Sequence, residues 1–226
     1  MPGGVVHYTS PQELLHGLKE IFIEQLYKTK LPPDAYIIDC GANIGLSVIY
    51  FKQLVPNAKI IAFEPDGKNA ELLKRNADSF NLQNVEIRQE AVWIDNTTLS
   101  FKSEGTMSSK IDESIQNGEN KVQAIRLKEL LNRKIDFLKI DIEGAEYEVL
   151  KDIKENLHFV QNMFFEYHGS FQQNNELLEI FDIIHGAGFK FYIKEAANVY
   201  NHPFLSSEEH NQHAYDLQLN IFCFRN

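Results

Sequence analysis

Long apolar runs and cysteines are both scarce in this sequence. No stretch approaches the ~20 apolar residues that a membrane-spanning helix needs, and the first residues lack the apolar segment of a secretory signal peptide. The two cysteines, Cys40 and Cys223, lie far apart in apolar, strand-like contexts. We interpret them as small core residues rather than as a disulfide or a metal-binding pair. These absences predict a cytoplasmic protein without a membrane partner.

Basic residues are also few. The 226 residues include 22 lysines and arginines against 32 aspartates and glutamates, which gives a net charge of −10. Nucleic-acid binding depends largely on basic side chains that neutralise phosphates, so we predict no nucleic-acid partner. Hydrophobic residues make up 43% of the chain, enough for a substantial core. Because no linker divides the sequence, we predict one domain over residues 1–226, with a helical extension at 1–34 and the core at 35–226.

Strand-like apolar segments alternate with segments of helical periodicity. Such alternation, with strands of the buried type, predicts an α/β fold, a three-layer αβα sandwich around a mostly parallel sheet. The predicted strands cover residues 36–39, 59–63, 85–88, 98–101, 122–126, 135–140, 159–167, 189–193 and 217–224. The predicted helices cover residues 11–28 (with Ser10 as N-cap), 44–55, about 68–78, 127–131, 145 onward and 174–187.

Two polar segments are predicted to be loops. Residues 102–120 are rich in Ser, Glu, Asn and Gly and poor in apolar residues, which is typical of a mobile loop. Residues 198–214 precede the last strand, and their length and position favour a lid over an acceptor site.

A glycine-containing turn follows the first predicted strand. An acid, Asp39, is followed by Gly41, Asn43 and Gly45, and then a helical pattern begins. Glycine in such a turn permits unusual backbone angles and close approach of a ligand. The glycines alone are equally consistent with a tight connection that has no binding role.

Glu64 ends the next predicted strand, 19 residues after Gly45. A glycine turn followed by an acid at this place is typical of a nucleoside site, in which the acid accepts hydrogen bonds from ribose hydroxyls. The turn lacks the third close glycine of a dinucleotide site, and the carboxylate of Asp39 would repel a pyrophosphate but attract an ammonium group. S-Adenosylmethionine, a nucleoside that carries an amino acid, satisfies all of these features.

Acids recur at the carboxyl ends of the predicted strands. Asp39, Glu64, Glu90, Asp141 and Glu166 each stand at one such end. In open α/β sheets, ligands bind outside the carboxyl ends of the strands. Each acid taken singly is more simply a cap or a solvated loop residue, but together they indicate a site.

The chain resembles the FkbM family of S-adenosylmethionine-dependent methyltransferases. The resemblance rests on I-D-C-G-A-N-I-G at 38–45, F-E-P at 63–65, L-K-I-D-I-E-G-A-E at 138–146 and E-Y-H at 166–168. It implies a Rossmann-like class I methyltransferase fold whose seven-stranded sheet has an antiparallel last strand. It also implies methyl transfer to a hydroxyl of a sugar, a polyketide or a similar small metabolite.

The resemblance assigns roles in cofactor binding to the matching residues. Gly41, Asn43 and Gly45 would surround the methionine part of the cofactor, with Asp39 near its ammonium group. Glu64 would bind the ribose. The remaining predicted cofactor-binding residues lie at or near other strand ends: Pro65 and Asp66 beside the adenine, Glu90, Ala91 and Val92 near its edge, and Asp141.

A sugar-type hydroxyl reacts slowly at neutral pH without a general base or a metal ion. His168 is the predicted base, because its usual pKa is about 6.5 and it lies at a strand end; a polar residue bonded to the backbone is the competing interpretation. Glu143 and Glu166 are the alternates. No metal site is predicted, although Asp141, Glu166 and His168 offer the oxygen-rich set that suits Mg²⁺. We interpret Lys139 as a partner of nearby carboxylates.

Two other functions stay open at this point. One is a nucleic-acid methyltransferase of the same fold, which the acidity of the chain disfavours. The other is a module that binds S-adenosylmethionine without catalysing transfer, because an intact glycine turn and Glu64 require only binding.

Overall fold

A computed structural model describes residues 3–100, 121–206 and 214–225 of the protein. The strands are β1 (Tyr36–Cys40), β2 (Lys59–Phe63), β3 (Val85–Arg88), β4 (Ala91–Trp93), β5 (Thr97–Ser100), β6 (Lys121–Arg126), β7 (Phe137–Ile140), β8 (Asn162–Gly169), β9 (Lys190–Glu195) and β10 (Leu217–Phe224). The α-helices are α1 (Pro11–Gly17), α2 (Leu46–Leu54), α3 (Gly67–Ser79), α4 (Glu146–Ile153) and α5 (Asn174–Gly186). A π-helical turn covers Leu18–Ile23, and 3₁₀ turns cover Leu127–Glu129, Lys154–Phe159, Phe171–Gln173 and Pro203–Leu205.

Seven strands form the main sheet in the order β3-β2-β1-β7-β8-β10-β9. The first five in this order are parallel to one another, whereas β10 runs antiparallel to both β8 and β9. The order reverses between β1 and β7, so the carboxyl ends of these two strands flank the crevice where such sheets bind ligands. The predicted mostly parallel sheet with an antiparallel last strand is confirmed.

The sheet separates two layers, as the predicted sandwich requires. Because successive side chains of a strand face opposite sides, Ile37 joins a cluster with Phe51 of α2 and Leu73 of α3. Its neighbour Ile38 joins a cluster with buried residues of α4, α5 and β6 on the other side. Both cysteines are free and buried, as the core interpretation predicted.

A second, three-stranded sheet was not predicted. Strand β6 pairs in parallel with β4 and antiparallel with β5. Strand β4 is only three residues long, so its pattern is too short to indicate a strand without knowledge of its partner. The extra strand predicted at 98–101 is β5, although residue 101 and the loop predicted at 102–120 lie outside the described residues.

The N-terminal helix is shorter than the predicted 11–28. The Ser10 hydroxyl accepts a hydrogen bond from the Glu13 N–H at 3.3 Å, which confirms Ser10 as the N-cap. The α-helix ends at Gly17 and continues as the π-helical turn to Ile23. Gln25 then has a φ of 55°, which ends the helical path.

Other element boundaries also differ. The strand predicted at 135–140 is Phe137–Ile140, the one predicted at 189–193 is Lys190–Glu195, and the helix predicted at 127–131 is the 3₁₀ turn Leu127–Glu129. Helix α2 begins at Leu46 rather than at 44 because Gly45 has a left-handed φ of 88°. Strand β8 begins at Asn162 rather than at 159, since Lys154–Phe159 is a 3₁₀ turn, and it continues to Gly169. Within the described residues, no helix combines the length and apolar character needed to cross a membrane.

Candidate active site

The turn between β1 and α2 forms one wall of the candidate site. Gly41, Asn43 and Gly45 have left-handed φ angles of 83°, 48° and 88°, which glycine and asparagine adopt more readily than other residues. A Cβ atom at Gly41 would lie 1.8 Å from the carbonyl oxygen of Asp141. Glycine is therefore required both for the shape of the turn and for the close approach of the chain that leaves β7.

Glu64 connects this turn to the end of β2. Its Oε2 accepts a hydrogen bond from the Asn43 N–H at 2.8 Å, and its Oε1 accepts one from the Asp66 N–H at 3.0 Å. Burial raises the pKa of Glu64 to about 7, although these backbone hydrogen bonds lower it. A carboxylate has further lone pairs, so Glu64 can also accept hydrogen bonds from ligand hydroxyls. The glycine turn and the acid of the predicted nucleoside site are thus in direct contact.

Pro65 and Asp66 lead from β2 into α3. The Oδ1 of Asp66 caps this helix by accepting hydrogen bonds from the N–H groups of Lys68 and Asn69, both at 2.9 Å. The Asp66 side chain therefore has a structural role, and contact of Pro65 and Asp66 with an adenine stays a prediction.

The predicted adenine-edge residues lie where β3 passes into β4. Glu90 forms an ion pair with Arg88 at 2.8 Å. Ala91 and Val92 begin β4 with fully buried side chains. A ligand contact at these two residues would have to use backbone atoms, and it stays a prediction.

Lys139 holds the acids of β1 and β7 together. Its Nζ lies 3.3 Å from a carboxylate oxygen of Asp39 and 3.3 Å from one of Asp141, and it donates a hydrogen bond to the Gly41 carbonyl at 2.8 Å. Although burial lowers the pKa of Lys139, the two carboxylates raise it well above its usual value. This geometry confirms Lys139 as a partner of carboxylates.

Asp39 lies beneath the turn rather than on its surface. Its side chain is fully buried, and its Oδ2 accepts a hydrogen bond from the Ser47 hydroxyl at 2.5 Å. The buried Asp39 carboxylate does not line the cavity, and its contact with a ligand ammonium group stays a prediction. Asp141, which is 28% exposed at its side chain, is the acid of this pair that reaches the cavity.

A second cluster surrounds His168 at the end of β8. The ring Nδ1 lies 3.2 Å from Glu146 Oε1, while Nε2 lies 3.4 Å from Glu166 Oε1 and 3.8 Å from Glu143 Oε2. The side chain of His168 is only 4% exposed. All three predicted catalytic residues, His168, Glu143 and Glu166, are therefore brought together.

The charges of this cluster change the predicted roles. Burial lowers the pKa of His168, but the hydrogen bonds with Glu146 and Glu166 outweigh it and raise the pKa to about 11. A protonated imidazole cannot accept a proton, so this structure does not support His168 as the general base. Burial raises the pKa of Glu143 to about 7, with nearby His168 lowering it and Asp141 raising it. Since Glu143 is 51% exposed at its side chain, it is the better placed carboxylate to take a proton.

Sequence reasoning missed two residues that position this cluster. Glu146 is buried and accepts hydrogen bonds from the N–H groups of Ile142, at 3.0 Å, and Gly144, at 3.0 and 3.2 Å. Tyr215 donates its hydroxyl hydrogen to the Glu143 carbonyl at 2.7 Å, and its ring lies 4.9 Å from that of His168. An acid at the start of a helix is a recognisable signal for Glu146, whereas only the tertiary structure brings Tyr215 here.

One cavity of about 240 Å³ is lined by residues of both groups, although Glu64 and His168 themselves do not line it. Its lining comes from the glycine turn (Gly41, Ala42, Asn43, Ile44, Leu46, Ser47), from the strand ends (Lys139, Asp141, Glu143, Glu166) and from the N-terminal segment (Tyr8, Thr9, Ser10, Glu13, Leu14, His16, Gly17, Glu20, Ile21, Leu26, Tyr27). The described part of the predicted lid, residues 198–206 and 214, does not line it, and residues 207–213 lie outside the described residues.

The fully buried Asn76 of α3 attaches the N-terminal segment to the glycine turn. Its side chain accepts a hydrogen bond from the His7 N–H at 2.6 Å and donates to the carbonyls of His7 at 3.0 Å and Ile44 at 2.7 Å. This role was not predicted, since an Asn within a helix carries no local signal for such contacts.

The sheet order, the antiparallel β10 and the glycine turn beside Glu64 define a class I, Rossmann-like methyltransferase fold. The chain belongs to the FkbM methyltransferase family, whose domain matches residues 39–191. The family resemblance stated from the sequence motifs is confirmed, and the protein is a methyltransferase.

Known relatives agree with this assignment. The chain is 32% identical over 187 residues to methyltransferase sdnD of Sordaria araneosa, which covers 66% of this chain and 72% of that protein. It is 27% identical over 157 residues to the 2-O-methyltransferase NoeI of Sinorhizobium fredii, covering 60% of this chain and 64% of that one.

A solved structure shows the same fold. The FkbM methyltransferase of Methylobacillus flagellatus superposes with a TM-score of 0.57 at 14% identity, over 91% of this chain. This chain spans about half of that protein, 47% of its length.

Proposed function

We propose that this protein transfers the methyl group of S-adenosylmethionine to a hydroxyl of a sugar, a polyketide or a similar small metabolite. One observation carries the proposal. The same cavity is lined by Gly41 and Asn43 of the glycine turn and by Asp141, Glu143 and Glu166 at the strand ends. A bound cofactor and an acceptor can therefore meet in one cavity.

The residues beside the turn fit S-adenosylmethionine. Glu64 keeps lone pairs for ribose hydroxyls while it holds Asn43. Asp141 offers a partly exposed carboxylate to the ammonium group, and Lys139 fixes its position. The left-handed turn leaves the backbone at Gly41 without a side chain, so a ligand can lie against it. When bound, S-adenosylmethionine supplies a methyl group activated by a sulfonium.

The residues at the other side fit an oxygen acceptor. Because the methyl group is already activated, the protein chiefly has to hold the acceptor in line and receive its proton. Glu143, half exposed and with a pKa near 7, can exist as a carboxylate at neutral pH and accept that proton. The His168 imidazolium, fixed between Glu146 and Glu166, can orient the neighbouring carboxylates. The name of the relative NoeI, a 2-O-methyltransferase, supports a hydroxyl acceptor.

Two experiments test the proposal in sequence. Thermal shift with S-adenosylmethionine, NAD and ATP should show stabilisation by S-adenosylmethionine alone, since a ligand that binds only the native state raises its stability. Methyl-labelled cofactor incubated with pools of sugars, polyketides, other hydroxylated metabolites, RNA and DNA should then label a hydroxylated small molecule.

The outcomes separate the competing functions. Labelled RNA or DNA would overturn the small-molecule acceptor and favour a nucleic-acid methyltransferase, which the net charge of −10 disfavours. Cofactor binding without any labelled product would favour a non-catalytic binding module. A methyl ether in the product, identified by NMR, is the expected result, whereas a methylated amine or carbon would contradict the hydroxyl assignment.

A further inference from the structure

Three side chains of the site place metal-binding atoms close together. One ligand atom each from Asp141, Glu143 and His168 lies within 4.8 Å of the others. Ligand atoms bonded to Mg²⁺ or Ca²⁺ at about 2.0–2.6 Å lie at most about 4–5 Å apart when they face each other across the ion. The three side chains could therefore bind one ion with only small movements.

The orientation of His168 is a second, separate indication. Its Nδ1 lies 3.2 Å from Glu146, which is itself held by backbone N–H groups of Ile142 and Gly144. The contact of Nδ1 with Glu146 thus fixes the imidazole ring, and Nε2 is directed toward Glu143 and Glu166. Metal-binding histidines commonly have their other ring nitrogen held by a carboxylate in this way.

The balance of charge around the cluster is negative. Four carboxylates, those of Asp141, Glu143, Glu146 and Glu166, surround His168. They outnumber the positive charges of the His168 imidazolium and of Lys139, which is shared between Asp141 and Asp39. Partly buried acids are costly unless cations or hydrogen-bond donors neutralise them. A divalent cation between Asp141, Glu143 and His168 would supply the missing positive charge.

We propose that Asp141, Glu143 and His168 bind a divalent cation, Mg²⁺ or Mn²⁺, beside the acceptor. Carboxylates suit both ions, and an imidazole ligand is compatible with Mn²⁺. His168 would bind as the neutral imidazole, so its Nε2 proton is released to solvent when the cation binds. The set differs from the one considered from the sequence, because Glu143 replaces Glu166. For its part in catalysis this inference rests on the proposed function, and it assigns the carboxylates of Asp141 and Glu143 to the cation instead of to the ammonium group and the acceptor proton. A cation here lowers the pKa of a hydroxyl that contacts it, and Glu166 is the adjacent carboxylate that takes the proton.

Titration of the full chain with Mn²⁺ tests the site directly, with the electron paramagnetic resonance signal of the free ion as the measure of binding. The wild type should bind one Mn²⁺. Glu143→Gln and His168→Ala should each weaken Mn²⁺ binding by at least about 10-fold. Loss of a residue that only supports a metal ligand already weakens binding by about 10–100-fold, and loss of a ligand should cost at least as much. The matched controls Glu148→Gln on α4 and His158→Ala, an exposed histidine, should bind as the wild type does.

Two results would contradict the proposed cation site. Absence of binding up to about 1 mM, the weak end of oxygen-rich sites, or equal binding by the wild type and both ligand variants would overturn the site. Since Glu143 is half exposed, its variant should stay folded even if the histidine variant does not. Calorimetry with S-adenosylhomocysteine is run on the same samples. Retained cofactor binding without Mn²⁺ binding would reject the cation alone and leave the proposed function standing.

Discussion

The two sides of the cavity neutralise their acids in different ways. At the glycine turn, Glu64 accepts two backbone hydrogen bonds, and Asp39 is paired with Lys139 and Ser47. Around His168, Glu146 and Glu166 share one imidazole, and Glu143 lies 3.8 Å from it with half of its side chain exposed. The first side is fixed largely by the backbone, whereas the second depends on the ionisation of side chains.

This difference suits two tasks. A cofactor of constant structure can be bound by a rigid turn whose groups already have partners. Proton transfer from an acceptor requires a group whose charge changes near neutral pH, and Glu143 meets that need. The contrast also predicts that substitutions on the two sides will have separable effects.

The largest expected effect is at Gly41. Gly41→Ala places a Cβ against the Asp141 carbonyl and forces a non-glycine residue to a φ of 83°. Left-handed strain and overpacking together should cost about 3 kcal/mol or more of unfolding free energy, measured by urea denaturation. The matched control is Gly186→Ala at the end of α5, where a Cβ meets nothing within 4 Å. Equal stability of the two variants would show that the turn tolerates a side chain.

A loss of activity without loss of cofactor binding is expected for His168→Ala. Removal of the imidazole leaves Glu146 and Glu166 without their shared partner and Glu143 without orientation. We expect turnover to fall by about 10²-fold, the effect of misplacing a reacting group by about 1 Å, with little change in S-adenosylhomocysteine affinity. His158→Ala serves as the control, and assays with EDTA and with added Mg²⁺ show whether a cation takes part. Full activity under both conditions would remove His168 from the chemistry.

Stability should depend on pH differently on the two sides. The raised pKa of Glu64 stabilises the fold below about pH 4.5, and this contribution of about 3 kcal/mol is lost as the pH rises to about 7. The raised pKa of His168 stabilises the fold below about pH 6.5 and is lost progressively toward about pH 11. Urea denaturation at a series of pH values measures the slope of the unfolding free energy against pH. Glu64→Gln should flatten this slope between about pH 4.5 and 7, and His168→Gln should flatten it between about pH 6.5 and 11. Unchanged slopes would contradict these pKa shifts.

A smaller effect is expected at Asn76, which connects the N-terminal segment to the turn. Asn76→Ala removes three hydrogen bonds in a buried position and should cost about 1–3 kcal/mol of unfolding free energy. Limited proteolysis should then cut the N-terminal segment faster than in the wild type. Asn69→Ala on the same helix is the control, because its side chain is not part of this connection. Equal cleavage of both variants would show that Asn76 does not hold the segment.

The parts of the structure that depend on local sequence were predictable. The apolar runs predicted the strands of the main sheet, and Gly41, Gly45 and Glu64 indicated the turn and the strand end that meet in the structure, because both have local signals. Helix 11–28 was predicted too long, since its apolar spacing persists beyond Gly17 while the backbone changes to a π-helical turn.

The rest depends on contacts between distant residues. His168 was predicted as a base from its usual pKa, but hydrogen bonds with the carboxylates of Glu146 and Glu166 raise its pKa to about 11. Tyr215 reaches Glu143 across 72 residues, and Asn76 reaches His7 across 69. No periodicity or spacing in the sequence indicates these contacts.

Calorimetric titration of S-adenosylhomocysteine into the wild type, Glu64→Ala and Glu143→Gln tests the division between the two sides most directly. Loss of two charge-assisted hydrogen bonds to ribose, each worth about 1.5–3 kcal/mol, should weaken binding by about 100-fold or more in Glu64→Ala. Glu143→Gln and the exposed control Glu86→Ala should bind as the wild type does. Unchanged affinity in a folded Glu64→Ala variant, or an equal loss in Glu143→Gln, would contradict the assignment of the cofactor to the glycine turn and the chemistry to the His168 cluster.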